Sequence, residues 1–121
     1  MKTVLITGAT SGYGLETARI FQRNGYAVLI ASRNPDKVAA VTAAEGFAAG
    51  YTLDVTDYEG WLAVRARIMA DFGRLDVLVN NAGAGLSIVE TTAQTKENID
   101  RIVALNLTSA IYGANVLAPL M

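Results

Sequence analysis

A chain of 121 residues that is 52% hydrophobic and 17% charged has enough apolar mass for one globular domain and is too apolar to be disordered. Basic and acidic side chains number 10 and 11, and the resulting net charge of −1 supplies no electrostatic footprint for nucleic acid or an anionic membrane. With neither Cys nor His, a disulfide framework, a thiolate nucleophile, an imidazole base and a His/Cys metal site are all excluded.

The opening run Met1 to Ile6 breaks at Gly8, too short for a secretory core or a membrane span, so a cytoplasmic protein with a single domain over residues 1–121 is expected. Short apolar runs then alternate with amphipathic segments, the pattern of a parallel sheet covered by helices. The first strand is predicted over Thr3 to Thr7. The turn Gly8 to Gly14 leads into a helix in which Leu15, Ala18 and Phe21 share a face, with Gly25 as its stop. Ala27 to Ala31 lacks alternation, as a strand buried on both faces does. Asn34 and Pro35 supply an N-cap and a first-turn proline for a helix to about Glu45, ended by Gly46. A third strand falls within Ala48 to Leu53. Thr56-Asp57-Tyr58-Glu59 reads as a capping box ahead of a helix whose Trp61, Val64, Ile68 and Phe72 form one face before Gly73. Asp76 to Asn80 is the fourth predicted strand, a loop spans Ala84 to Thr95, and Thr95 caps a last helix to about Leu117. From Leu105 to Met121 no side chain is charged, so both sides of that helix should be covered.

The chemistry is concentrated in Thr7-Gly8-Ala9-Thr10-Ser11-Gly12-Tyr13-Gly14, between the first strand and the first helix. Gly8 permits a tight turn, Gly12 lets backbone approach a pyrophosphate, and Gly14 lets helix and strand pack closely. Free amides at the helix N-terminus favour phosphate there. No Gly-Lys pair occurs, which excludes a P-loop. About twenty residues further on, a dinucleotide site carries an acid for a free ribose 2′-hydroxyl or a basic residue for a 2′-phosphate. Ser32-Arg33-Asn34 occupies that place without an acid. The forked donors of Arg33 suit a phosphate and Ser32 and Asn34 can add hydrogen bonds, so NADP(H) is expected in preference to NAD(H).

These residues resemble the N-terminal half of the short-chain dehydrogenase/reductase family. Thr7 to Gly14 matches its Thr-Gly-x-x-x-Gly-x-Gly motif, Leu53-Asp54-Val55 its adenine-contacting segment, and Asn80-Asn81-Ala82-Gly83 its Asn-Asn-Ala-Gly motif. The likeness covers essentially the whole chain, with Tyr13 standing where the family usually has an aliphatic residue. It implies an α/β fold: a Rossmann-type doubly wound parallel sheet, truncated, in the strand order 3-2-1-4 with helices on both faces. It also implies that Thr10, Ser11, Gly12 and Tyr13 line the phosphates, that Leu53, Asp54 and Val55 hold the adenine, and that Asn81, Ala82 and Gly83 flank the adenosine ribose. The residues themselves leave other readings open. Asp54 can be a turn acid before Thr56, and Asn80 and Asn81 can satisfy backbone groups where the fourth strand ends.

Of the family's catalytic set, Asn106 in Ala104-Leu105-Asn106-Leu107 matches the helix Asn, while the Ser and the Tyr-x-x-x-Lys pair have no counterpart among these residues. A tyrosine without a neighbouring cation is a poor acid or base near neutral pH, so spacing alone does not promote Tyr112. The expectation is an NADP(H)-binding module. An NADPH-dependent oxidoreductase, transferring hydride between cofactor and carbonyl or alcohol at a site completed by oligomerisation or another chain, and a ligand-free structural half-domain are the alternatives. A homo-oligomer is expected through the last helix, about Lys96 to Leu117, and the open edge of the fourth strand. Nucleic acid, membrane and metal are not expected as partners.

Overall fold

In strand β1 (Thr3–Thr7), Val4 and Ile6 face one side of the sheet and Leu5 the other; in β2 (Ala27–Ser32), Val28 and Ile30 part from Leu29 and Ala31 in the same way. All seven are essentially inaccessible to solvent, which is why neither strand needs polar alternation. This computed structural model describes residues 1–85 and 89–121; residues 86–88 of the predicted loop Ala84 to Thr95 lie outside the described residues. Strands β3 (Ala49–Thr52) and β4 (Val77–Val79) pair in parallel on the flanks, and the sheet runs β3-β2-β1-β4 as expected. Helices α1 (Gly12–Arg23) and α2 (Pro35–Glu45) cover the Val4/Ile6 face through Ala18, Leu15, Phe21 and Val41. Helix α3 (Tyr58–Asp71) and the C-terminal helix cover the other, packing Trp61, Val64, Ile68, Val116 and Leu117 against Leu5 and Leu29.

Where local devices act alone, the predicted ends are the observed ones. Asn34 Oδ1 accepts from the amides of Asp36 and Lys37 at 3.0 and 3.1 Å, Pro35 opens α2, and Gly46 closes it at φ +69°. The capping box at Thr56 does not form. Both the hydroxyl and the amide of Thr56 donate to Asp54 Oδ1, at 2.7 and 2.9 Å, because an ionised carboxylate two residues away is the stronger acceptor; α3 then starts one residue later, with Asp57 as an N-cap whose side chain makes no capping bond. Strand β4 is shorter than predicted at both ends. Asp76 turns its carboxylate to the amide of Thr3 at 2.8 Å and to Arg74, and Asn80 donates to the carbonyl of Ala110 at 3.3 Å.

The last helix is also corrected. Thr95 caps it as expected, accepting from the Asn98 amide at 3.1 Å, but the α-helical parts α4 (Lys96–Val103) and α5 (Ser109–Leu117) are joined by a π turn, Ala104–Thr108. Only one side is covered. Ser109, Gly113, Val116 and Leu117 are buried, and a Cβ at Gly113 would stand 2.7 Å from the Trp61 ring, so glycine there lets α5 lie on α3. Ile99, Val103, Leu107 and Ile111 remain exposed. By length and composition the run Lys96–Leu120 is long and apolar enough to cross a membrane, although the α5 portion packs into the core described above.

Candidate functional site

Ligands of open parallel sheets bind beyond the carboxyl ends of the strands, where the strand order reverses. Here that point lies between β1 and β4, and a network of hydrogen bonds closes it. Gly8 turns the chain at φ +65° and its amide donates to Ala31 O at 2.8 Å. Thr7 Oγ1 accepts from the amides of Asn81 and Ala82 at 3.1 and 3.0 Å. The Asn81 side chain donates to the carbonyls of both Thr7 and Gly8 at 3.1 Å, so it serves the strand end and the turn together, as its second reading allowed. A Cβ at Gly14 would lie 2.3 Å from Gly8 O and 2.5 Å from Asn81 Nδ2; glycine is what lets α1 approach the turn.

Helix α1 begins on this network. Its N-cap Ser11 is extended and makes no side-chain capping bond, and its first turn contains no acid. The leading amides and the positive end of the helix are therefore not neutralised by the side chains of their own segment. Gly12, at φ +57°, has nothing within 4 Å of where a Cβ would stand, and the Tyr13 side chain is 90% exposed.

A cavity of about 270 Å³ opens at the head of α1. Gly8, Thr10 and Ser11 form one wall, Ser32 and Arg33 the end of β2, Leu53 and Val55 an apolar flank, and Asn81, Ala82 and Gly83 the floor after β4. The remaining predicted residues stand outside its lining. Gly14 is packed beneath the turn, Gly12 and Tyr13 lie on the solvent side, and Asn34 is committed to capping α2. Asn106 holds the rim: Oδ1 accepts from the Ala84 amide at 3.1 Å, and Nδ2 donates to the carbonyls of Ala84 and Ile102 at 2.9 and 3.0 Å. Ala31, Ala84 and Leu105 also line the cavity and were not predicted; Leu105 reaches it only because the C-terminal helix returns over the strand ends.

Asp54 borders a second cavity of about 210 Å³ that shares Arg33 and Leu105 with the first and adds Thr56, Arg101 and Ala104. The Thr56 hydroxyl and amide hold the Asp54 carboxyl below its ordinary pKa, with the positive charge of Arg33 adding to the effect. The turn-acid reading of Asp54 is thus present in the structure. Taken together, the walls offer uncapped amides at one end, a slot between apolar side chains, and a guanidinium at the other end, a donor set that fits a long ligand with two anionic groups and a flat apolar portion.

Over residues 2–121 the sequence matches the family model described as short chain dehydrogenase. The chain belongs to this family. It is 39% identical over 116 residues to the probable oxidoreductase EphD of Mycobacterium tuberculosis, covering 91% of this chain and 19% of that protein. With the serine 3-dehydrogenase of Rhizobium radiobacter it shares 34% identity over 118 residues, 97% of this chain and 47% of that one. Among solved structures it superposes with TM-score 0.92 and 32% identity on a 3-ketoacyl-(acyl-carrier-protein) reductase from Brucella melitensis complexed with NADH, covering 98% of this chain and 50% of that one. A short-chain dehydrogenase from Streptomyces avermitilis gives 0.87 and 32% over 98% and 44%. The chain therefore spans half the length, or less, of these short chain dehydrogenase relatives.

Proposed function

We propose that this chain binds NADP(H) across the α1 cleft, with the diphosphate on the amides that open α1, the adenine between Leu53 and Val55, and the 2′-phosphate on Arg33. The observation that carries the reading is that one cavity is lined both by the uncapped start of α1 at Thr10 and Ser11 and by Arg33, with Ser32 and no acid beside it at the end of β2. The similar Brucella protein was solved with NADH, which supports a nicotinamide ligand and leaves the choice between the two cofactors to Arg33. Hydride transfer is the chemistry such a cofactor supplies. Asn106 fixes the loop at Ala84, and Tyr-x-x-x-Lys is not among these residues, so the proposal is one of binding, with reduction of a carbonyl only where a proton donor completes the site. We further propose that a second copy covers the exposed stripe Ile99, Val103, Leu107 and Ile111; light scattering showing only monomer at micromolar concentration removes that part.

Titration of NADPH and NADH, followed by nicotinamide fluorescence, tests the binding. Saturable enhancement with NADPH is expected, and a flat signal with both overturns it. Exchanging Arg33→Asp should weaken NADPH by tenfold or more, on the order of 1.5–3 kcal/mol for a charge-assisted contact, and improve NADH.

A further inference from the structure

Arg101 belongs to none of the motifs read in the sequence, yet it lines the same 210 Å³ cavity as Arg33. Separate elements supply the two arginines: Arg33 follows the end of β2 and Arg101 is an exposed residue of α4. Among the described residues neither takes part in an ion pair. Among the described residues the cavity is lined by a single carboxylate, Asp54, one of whose oxygens is already engaged by the amide and hydroxyl of Thr56. Because the Thr56 hydroxyl spends its proton on Asp54, it has none left for an incoming anion. Two guanidiniums against one carboxylate leave the cavity net positive, and its forked donors are the two arginines.

We propose that Arg101 is a second specificity-determining residue, which with Arg33 forms a paired-guanidinium receptor for the phosphate on the adenosine 2′-oxygen. The inference rests on reading the adjoining cleft as the dinucleotide site, with which this cavity shares Arg33 and Leu105. A monoester dianion presents oxygens on several sides, so two planar forks can each bind it without competing, which a single arginine at a loop end cannot match. Asn106, on the π turn that follows, ties the C-terminal helix to Ala84.

The probes are 2′,5′-ADP and 5′-AMP, which differ in the 2′-phosphate alone, titrated calorimetrically against the wild-type protein and the Arg101→Met, Arg101→Lys and Arg33→Met variants. Arg101→Met should weaken 2′,5′-ADP by about tenfold and leave 5′-AMP within about twofold, with Arg101→Lys in between. Arg101 is exposed, so an unchanged melting temperature is expected and checks that the fold persists. Unaltered 2′,5′-ADP affinity in Arg101→Met, or equal losses for the two probes, overturns the assignment. If wild type binds 5′-AMP and NADH but gains nothing from the 2′-phosphate, the two-arginine receptor fails while the dinucleotide cleft stands; if it binds none of 2′,5′-ADP, 5′-AMP, NADPH and NADH, both fail.

Discussion

Helices α1 and α2 begin at the carboxyl ends of neighbouring parallel strands, and their first turns are built in opposite ways. At α2 the chain satisfies its own helix end: Asn34 Oδ1 accepts from two amides, Pro35 removes a third donor, and Asp36 sets a negative charge against the dipole. At α1 the N-cap is Ser11 with its side chain unengaged, no acid follows, and glycines flank the turn. The α2 start is a structural device. The α1 start forgoes about 1 kcal/mol of capping and leaves its donors to an anion from outside. A helix end that its own sequence declines to cap, beside a cavity, is where a phosphate site is to be sought.

The contrast can be broken most severely at Gly14. A methyl group there would lie inside contact distance of Gly8 O and the Asn81 amide, so Gly14→Ala should cost about 3 kcal/mol in chemical denaturation and abolish nucleotide binding. Gly12→Ala, which meets nothing within 4 Å, should cost only the left-handed backbone penalty of about 1–2 kcal/mol. Equal losses for the two would show that close approach of α1 is not what Gly14 serves. A sharper test makes α1 resemble α2. Ser11→Asp should cap the helix and raise stability by about 0.5–1 kcal/mol while weakening NADPH tenfold or more; a rise in stability with undiminished affinity would show that the phosphates bind elsewhere. The smallest effect on binding is expected at α2, where Asn34→Ala should lower stability by about 1 kcal/mol and change NADPH affinity by less than twofold. A large affinity loss there would restore Asn34 to the phosphate site, where Ser32-Arg33-Asn34 had suggested it.

Much of the sheet and the ends of α2 were legible because their causes are local. Uninterrupted apolar runs at β1 and β2 have no way to be half-exposed, and Asn-Pro before a helix with glycine after it acts within a few residues. Sites with two available partners were harder to read. Thr56 could cap α3 or bond Asp54, and Asn81 could face a ribose or brace the turn; in each case a nearby acceptor of known position decided the geometry. The π turn at Ala104–Thr108 has no signature in an apolar helix, since what accompanies it is the bond from Asn106 to Ala84, 22 positions away in the chain.

By itself the sequence determined the parallel α/β sheet, the glycine turn and a basic rather than acidic residue at the end of the second strand, because periodicity and backbone permissiveness are properties of short segments. Only the tertiary structure decided that Asn81 and Asn106 brace the cleft and that Arg101 lines a cavity with Arg33. Those outcomes depend on which donors and acceptors distant segments bring within about 3 Å of one another, and hydrogen bonding at that range is blind to spacing along the chain.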